Sequence, residues 1–320
     1  MNALDEMSIS TADQIKILGR KYFDEVAFTS ATRPSTMDYY EKWIAEGQHG
    51  SMSYLARHQE RKSNPQLLLH NAKSWISFIL NYDTQEPLSI DLKDEFKKDK
   101  KGWIARYARG TDYHFEIEAR HQKLISELKM MYPTHGFLSC VDTKAVLERD
   151  VAQRSGLGWI GKNTCLINQE FGSFVFLSEI LTTLSLPQDK PVMDHCGTCT
   201  KCLDACPTKA LVAPHKLDAK KCISYWTIEV NEEPPKELSK NFGTNFFGCD
   251  ICQDVCPWNQ KSRRTQQLSP QKESGLIDLR SLLKTTDSDL KKDVQNTSLN
   301  RAKPPHLKRN AFTVLENLEG

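Results

Sequence analysis

The chain of 320 residues has no apolar stretch of the roughly 18 residues that a membrane-spanning helix requires. Its longest tight apolar run, at residues 75–80, has the length of a single strand. The first residues, MNALDEMSISTADQ, also lack the positive charge, the apolar core and the twin arginine of export signals. We therefore predict a cytoplasmic protein with no membrane partner.

The chain also has almost no net charge, because 43 Lys and Arg stand against 41 Asp and Glu. The overall charge of +2 does not mark a nucleic-acid-binding protein, so any basic surface must be local. Residues 261–310 hold 12 Lys and Arg against 5 Asp and Glu, which concentrates positive charge in the last part of the chain. Arg263 and Arg264, near the start of this segment, are the candidates for contact with nucleic-acid phosphates.

Cysteine, by contrast, is abundant, with ten residues of which eight lie between positions 196 and 256. Many cysteines in a secreted protein indicate disulfides, but the CxxC spacings of these eight are typical of metal sites. We therefore expect the eight thiols to bind metal inside the cell. Cys140 and Cys165 stand apart in predicted strands and are expected to be buried structural residues.

The spacing of the eight cysteines predicts two four-iron four-sulfur clusters. The first run, C-x2-C-x2-C-x3-C-P from residue 196, is the bacterial ferredoxin pattern, in which the fourth thiolate crosses to a second cluster. The second run has the same ending, but Phe246 stands where its first cysteine would be, and Cys222 is the nearby spare thiol. Zinc bound by four thiolates is the alternative, which the interlocked pattern disfavours. The predicted sets are Cys196, Cys199, Cys202 and Cys256 for one cluster, and Cys206, Cys222, Cys249 and Cys252 for the other.

Helix and strand patterns alternate along residues 1–185, which predicts an α/β unit. Residues 186–260 then form a cysteine-rich domain, and residues 261–320 form a basic segment with helical patterns. The main elements predicted in the first unit are a helix beginning at the capping box TADQ of residues 11–14, a buried strand over 75–82, a helix over 113–131, a strand over 137–142, a helix over 145–155, and two paired strands over 164–168 and 173–184.

Two further motifs match known signatures only in part. GLGWIG at residues 156–161 fits the dinucleotide fingerprint, but it follows a predicted helix and leads into a strand, which is the reverse of what that fingerprint needs. DYHFEI at residues 112–117 begins like the Asp-x-His-x-x-Gly motif of corrinoid proteins, but Ile117 occupies the glycine position. We therefore predict neither a nucleotide site at the first motif nor a His114 ligand to cobalt.

Several longer motifs together resemble the epoxyqueuosine reductase family, and the resemblance covers most of the chain. They are HGSMSYLARH at residues 49–58, RYARGTDYH at 106–114, VDT at 141–143, LER at 147–149, GLGWIGKNT at 156–164, CISYWTIE at 222–229 and CDICQDVCPWN at 249–259. This resemblance implies an α/β (α+β) nitroreductase-like corrinoid domain, a ferredoxin-like two-cluster domain and a short helical C-terminus.

The reaction that the resemblance implies is the deoxygenation of epoxyqueuosine to queuosine at the wobble position of tRNA. The two clusters pass electrons to cobalamin, which carries the difficult chemistry. The expected partners are therefore the tRNA substrate and a low-potential electron donor that the sequence does not identify. We expect the protein to act as a monomer.

The resemblance also implies roles for individual residues. Asp142, at the end of a predicted strand, is the proton donor for the epoxide oxygen, although an aspartate there could instead cap the following helix. Asp112, Tyr113 and His114 are candidate substrate contacts, with a helix cap and packed aromatic rings as the alternative. The candidate cobalamin contacts are Arg61, Asp142, Lys162, Asn163 and Ser224.

Two other functions remain open from the sequence. A corrinoid reductive dehalogenase would share the cofactor and the two clusters, but it is expected to be exported. A ferredoxin-type electron carrier would need no corrinoid, and residues 1–185 would then serve only for docking.

Overall fold

The computed structural model of the protein describes residues 9–84, 87–265 and 275–320. Part of the basic segment, residues 266–274, lies outside the described residues. The strands are β1 Glu25–Ser30, β2 Ser74–Asn81, β3 Lys101–Ile104, β4 Phe137–Cys140, β5 Trp159–Ile160, β6 Leu166–Ile167, β7 Val175–Thr182, β8 Leu211–Ala213, β9 Lys216–Leu217, β10 Asn245–Phe247 and β11 Leu276–Asp278.

Helices surround these strands, and the protein has a mixed α/β architecture. The helices are α1 Thr11–Gly19, α2 Met37–Ala45, α3 Ser53–Ala56, α4 Gln59–Ser63, α5 Lys93–Asp99, α6 Tyr113–Met131, α7 Glu148–Arg154, α8 Lys201–Ala205, α9 Lys236–Ser239, α10 Ile251–Asp254, α11 Pro257–Gln260, α12 Leu279–Lys284, α13 Asp287–Val294 and α14 Pro304–Glu319. None of the helices in the described ranges is long and apolar enough to cross a membrane.

The largest sheet has the strand order β1-β2-β7-β4, and all of its neighbouring strands are antiparallel. Strand β2 is buried along its whole length, as its apolar run predicts. The predicted pairing of the strands at 164–168 and 173–184 is wrong. β7 pairs with β2 and β4, whereas β6 pairs with β5, because the chain folds back in a short hairpin after GLGWIG.

Each face of this sheet is covered by helices. On one face, Phe78 of β2 packs with Ile15 of α1 and Leu124 of α6. On the other face, Ala152 of α7 packs with Ile79 of β2. Burying each large apolar side chain contributes about 1.5–3 kcal/mol, so both layers hold the sheet firmly.

A second sheet, in the order β10-β3-β11, takes one strand from each of the three predicted segments. β3 runs parallel to β10 and antiparallel to β11. A Cβ atom at Gly102 would lie 2.7 Å from Cβ of Phe246, so the close approach of β3 and β10 requires glycine there. The boundaries at 185 and 260 stay a prediction, but the segments interlock through this sheet.

Most single elements lie close to their predicted positions, and the differences are at their ends. α1 begins at Thr11, but its cap is Ser10, whose hydroxyl accepts the N–H of Asp13 at 3.1 Å. β4 ends at Cys140 rather than 142. The helix predicted over 145–155 begins only at Glu148, because the chain between β4 and α7 forms a turn.

Candidate active site and cluster sites

The cluster-binding segments are short helices joined by cysteine-bearing loops. α8 lies between Cys199 and Cys206, and α10 between Cys249 and Cys256, and these two helices pack against each other. All ten cysteines are free thiols. No three or more His, Cys, Asp or Glu side chains in the described part of the chain are arranged around one metal ion.

Electrostatic interactions link six of the predicted ligands in two groups. Burial raises the pKa of Cys202 to about 11, with a further contribution from the charges of Cys256 and Cys196. Burial likewise raises the pKa of Cys249 well above its usual value, and here the contributing thiols are Cys222 and Cys206. Cys165, which belongs to neither predicted set, also acts on Cys252 and Cys256. The assignment of all eight thiols to two sets therefore stays a prediction.

Cys222 reaches its group from outside both cysteine runs. It follows the 3-10 turn Ala219–Lys221 and precedes the π-helical turn Tyr225–Glu229. Burial raises the pKa of its thiol, whereas hydrogen bonds from Tyr225 and Ser224 lower it. Ser224, a predicted cobalamin contact, is thus placed against a cluster thiol.

The two cysteines without a predicted role differ from each other. Cys140 is fully buried in β4, as expected. Cys165 is only partly buried and its thiol is hydrogen-bonded to Cys252. The strand pattern did not indicate this contact, because it depends on how the β5–β6 hairpin meets the second cysteine run.

The GLGWIG motif and the two residues after it join the sheet to the cluster loops. Lys162 Nζ donates to the carbonyl oxygens of Gly197 at 2.6 Å and Cys199 at 2.9 Å. Asn163 is buried and its Nδ2 donates to the carbonyl of Cys252 at 3.3 Å. These two predicted cobalamin contacts are therefore engaged by the cluster loops. Gly158 is required because a Cβ there would lie 2.2 Å from the carbonyl oxygen of Ile167.

Aromatic rings lie beside the first group of thiols. Trp159 and Trp258 meet edge to face with ring centroids 4.9 Å apart, and both pack with Cys196 and Cys256. Trp159 belongs to the GLGWIG motif, so the same segment that holds the loops also covers the thiols with apolar surface.

Asp142 lies in the turn after β4, with a positive φ of 37°. Its side chain is 57% exposed, and its Oδ2 is 3.2 Å from Nε2 of His114. Nδ1 of His114 is in turn 2.7 Å from Oδ1 of Asp112. Asp112 caps α6 by accepting the N–H of His114, whereas the residue that precedes α7 is Leu147. Asp142 is therefore not a helix cap, and the structure places it with Asp112 and His114.

The hydrogen bonds of His114 determine its charge. Its bonds to Asp142 and Asp112 outweigh burial and raise its pKa to about 9, so the imidazole is cationic at neutral pH. Beside it, Tyr113 is stacked between His114 at 4.2 Å and Phe176 at 4.4 Å. Burial, together with the charge of Asp142, raises the pKa of Tyr113, which keeps its hydroxyl protonated.

A cavity of about 250 Å³ lies near Asp142. Arg301 stacks over the ring of Tyr54 at 5.2 Å and pairs with Glu229 at 2.8 Å. Burial and then the charge of Glu229 raise the pKa of Tyr54 to about 12, with a smaller contribution from Asp142. Asp142 is not among the lining residues of the cavity, but its charge acts on Tyr54 and Arg301, which are. The lining residues are Ser51, Met52, Tyr54, Ile228, Glu229, Asn231, Arg301 and Lys303.

Sequence reasoning missed Tyr54 and Arg301. Tyr54 stands within HGSMSYLARH, a motif that already pointed to the site. The only sequence feature that pointed to Arg301 was the excess of positive charge in residues 261–310.

A larger open depression of about 650 Å³ lies at the opposite end of β4 and is separate from the cavity near Asp142. Its lining residues include Gly136 and Thr183.

Three other residues predicted from the sequence, Arg61, Arg263 and Arg264, are not among those that line the cavity. Arg61 is exposed on α4. Arg263 pairs with Glu170 at 2.8 Å. Arg264 pairs with the fully buried Asp83, which Arg106 also faces at 3.7 Å. Arg263 and Arg264 therefore anchor the chain that leaves the cluster region to the end of the main sheet.

The ferredoxin-type cysteine run, together with a carboxyl group in contact with a histidine, indicates an iron–sulfur protein. In agreement, residues 195–259 match the 4Fe-4S double cluster binding domain, and residues 62–143 match the family Epoxyqueuosine reductase QueG, DUF1730. Epoxyqueuosine reductases from Xanthomonas campestris and Cellulophaga algicola are each 40% identical to this chain, over 80% and 84% of it and over 72% and 86% of their own length. The chain belongs to the epoxyqueuosine reductase family, and it is an oxidoreductase.

Solved structures of the family agree over nearly the whole chain. An epoxyqueuosine reductase in complex with an epoxyqueuosine-modified tRNA-Tyr stem loop has a TM-score of 0.84 and 32% identity, covering 96% of this chain and 81% of the other. The Bacillus subtilis enzyme, with its catalytic aspartate loop swung out of the active site, has a TM-score of 0.83 and 31% identity, covering 95% and 80%.

Proposed function

We propose that this protein reduces epoxyqueuosine in tRNA to queuosine, the reaction for which its relatives are named. The observation that carries the proposal is the position of Asp142, whose partly exposed carboxyl lies 3.2 Å from His114 in a chain that also carries a two-cluster domain. Removing the epoxide oxygen as water consumes two electrons and two protons. The clusters can supply the electrons one at a time, and Asp142 can supply a proton.

The proposed cofactor is cobalamin, which when bound supplies the reducing metal centre that acts on the epoxide. Tyr54, which is 39% exposed, can offer aromatic surface to a large flat macrocycle, whereas Tyr113 is stacked between His114 and Phe176. His114 cannot ligate cobalt while both of its nitrogens are bonded to carboxylates. Arg61 and Ser224 remain candidate cobalamin contacts, whereas Lys162 and Asn163 serve the cluster loops.

Asp142 is the proposed general acid. Its side chain is 57% exposed, so a bound substrate can reach the carboxyl. His114 Nε2, 3.2 Å from Asp142 Oδ2, is placed to return a proton after each transfer. The catalytic aspartate loop named for the Bacillus subtilis relative supports this assignment.

The proposed tRNA contacts are the basic and aromatic residues of the cavity. Arg301 and Lys303 can pair with phosphates, and the ring of Tyr54, 39% exposed, can stack on a base. Arg264 is a weaker candidate than the sequence suggested, because its partner is the fully buried Asp83, whereas Arg263, like Arg301, pairs with a carboxylate that is not fully buried.

Several finer points belong to the same proposal. Residues 1–185 would form a nitroreductase-like corrinoid domain, residues 186–260 a ferredoxin-like domain and residues 261–320 a helical segment. The protein would act in the cytoplasm as a monomer. A low-potential donor would be needed, since the clusters must reduce a corrinoid.

The test is turnover by the reconstituted protein. Protein carrying both clusters and cobalamin, given a strong reductant, should convert epoxyqueuosine-tRNA to queuosine-tRNA, as measured by mass spectrometry of the released nucleosides. Protein that binds both cofactors but leaves the epoxide intact would contradict the proposal. Electron transfer to an acceptor protein without any need for cobalamin would instead indicate the electron-carrier function.

A further inference from the structure

A carboxyl group without an ionic partner is buried in the middle of the main sheet. Glu179 of β7 is fully buried between Leu177 and Leu181 along its strand, on the face that α7 covers. Ser77 Oγ donates to its Oε1 at 3.2 Å, and Oε2 has no hydrogen-bond partner among the residues that the structure describes. Burial raises the pKa of Glu179 well above its usual value, with a further contribution from Glu148.

Glu148, at the first position of α7, lies between this buried group and Asp142. Its Oε1 accepts the backbone N–H of Asp142 at 2.5 Å. Asp142 has a left-handed backbone conformation, with φ of 37°, which is strained for a residue with a side chain. A backbone held in such a conformation needs a contact that specifies it, and the carboxyl of Glu148 makes that contact.

We propose that Glu148 is the positioning residue of the active site: its carboxyl holds the Asp142 backbone so that the Asp142 side chain lies beside His114. This inference rests on the proposed function for the role of Asp142, but the contact itself concerns only residues of this chain.

The surroundings of Glu148 agree with this contact. Burial and then the charge of Asp142 raise the pKa of Glu148 to about 8, whereas its hydrogen bond to the Asp142 backbone and the charges of His114 and Arg149 act in the opposite direction. Glu148 therefore faces both the backbone of Asp142 and the His114 that contacts the Asp142 side chain.

The contact can be tested without turnover, by hydrogen–deuterium exchange of the peptide that contains residues 137–147. Glu148→Ala should increase exchange in this peptide, and Glu148→Gln, which keeps an acceptor oxygen, should restore protection. Glu179→Gln is the matched control, because it removes a neighbouring carboxyl group that does not contact Asp142. In this variant the peptide should exchange at the wild-type rate. Unchanged exchange in Glu148→Ala, or equal loss of protection in Glu179→Gln, would overturn the proposal.

Turnover then tests the consequence for catalysis. Glu148→Ala should lower kcat on the order of 10- to 100-fold with KM for tRNA unchanged, because the acid is misplaced while the tRNA contacts remain. Glu148→Gln, which keeps the acceptor oxygen, should restore kcat to near the wild-type value. A Gln variant that loses as much activity as Glu148→Ala would show that this contact does not position the acid. If wild type itself shows no turnover, the proposed function fails, and the exchange experiment still decides whether Glu148 holds Asp142.

Discussion

At the scale of single residues, Asp142 has an exposed carboxyl and a positive φ. A substitution that keeps this backbone conformation can therefore remove the acid without disturbing the fold. Asparagine tolerates the left-handed region as well as aspartate does, and it keeps the N–H that Glu148 accepts. Asp142→Asn should therefore retain fold, iron and cobalamin while lowering kcat by roughly 10²–10⁴-fold, the usual contribution of a general acid. The measurement is single-turnover conversion of epoxyqueuosine-tRNA.

The control for this variant is Asp278→Asn, which alters the aspartate that caps α12, where asparagine is an equally good cap. It should turn over like wild type. Near-normal turnover by Asp142→Asn would mean that another group supplies the proton.

His114 contributes to stability in a pH-dependent way. Its pKa in the folded protein is about 9, above the value of about 6.5 expected in the unfolded chain. The stabilisation is therefore fully present below about pH 6.5 and is lost as pH rises through about 9. His114→Gln should lower Tm at pH 6.5, and the difference from wild type should vanish near pH 10.

Thermal unfolding across this pH range measures the effect, with His70→Gln at an exposed position as the control. A Tm difference that is the same at every pH would show that His114 stabilises by packing alone. We also expect His114→Gln to bind cobalamin like wild type, because the histidine is not a cobalt ligand.

At the scale of elements, the turn that carries Cys222 completes a cluster site from outside the two cysteine runs. Cys222→Ala should reduce the iron content of anaerobically reconstituted protein from about eight to about four atoms per chain, since only one thiolate set loses a ligand. Iron analysis with paramagnetic resonance of the reduced protein measures this.

Cys140→Ala is the control for Cys222→Ala, because Cys140 is buried in β4 away from both thiol groups. It should keep about eight iron atoms. Two intact clusters in Cys222→Ala would show that the ligand assignment is wrong, as would a zinc-loaded protein with full activity.

At the scale of the whole molecule, the cavity near Asp142 combines surfaces from distant parts of the chain, and tRNA binding should report on it. Replacing both Arg301 and Lys303 with alanine should weaken tRNA binding and reduce the slope of log K against log salt by about 2, because each lost phosphate contact lowers the slope by about 1. Binding measured over a salt series gives both quantities.

Arg263→Ala is the matched control, because Arg263 is exposed but paired with Glu170 on another surface. The Arg263→Ala variant should bind tRNA with an affinity and a salt slope close to those of wild type. If Arg263→Ala weakens binding as much as the double variant, the basic segment as a whole attracts tRNA and the cavity has no special part in it.

The sequence by itself determined the features that depend on local spacing. Two clusters follow from thiols at intervals that match a ferredoxin run, and the buried strand β2 follows from its apolar run. The spacing of Asp112 and His114 at the start of α6 is likewise local, because Asp112 caps the helix through the N–H of His114. Such features are local, because a few neighbouring residues are enough to specify them.

Only the tertiary structure decided which distant segments meet. β7 pairs with β2 and β4 rather than with β6, and β3 joins β10 and β11 from two other segments, because strand pairing over long separations depends on which faces are left to bury. The same holds for Arg264, whose charge suggested tRNA but whose partner is the buried Asp83. It also holds for Glu148, whose contact with Asp142 exists only because the turn after β4 folds back on α7.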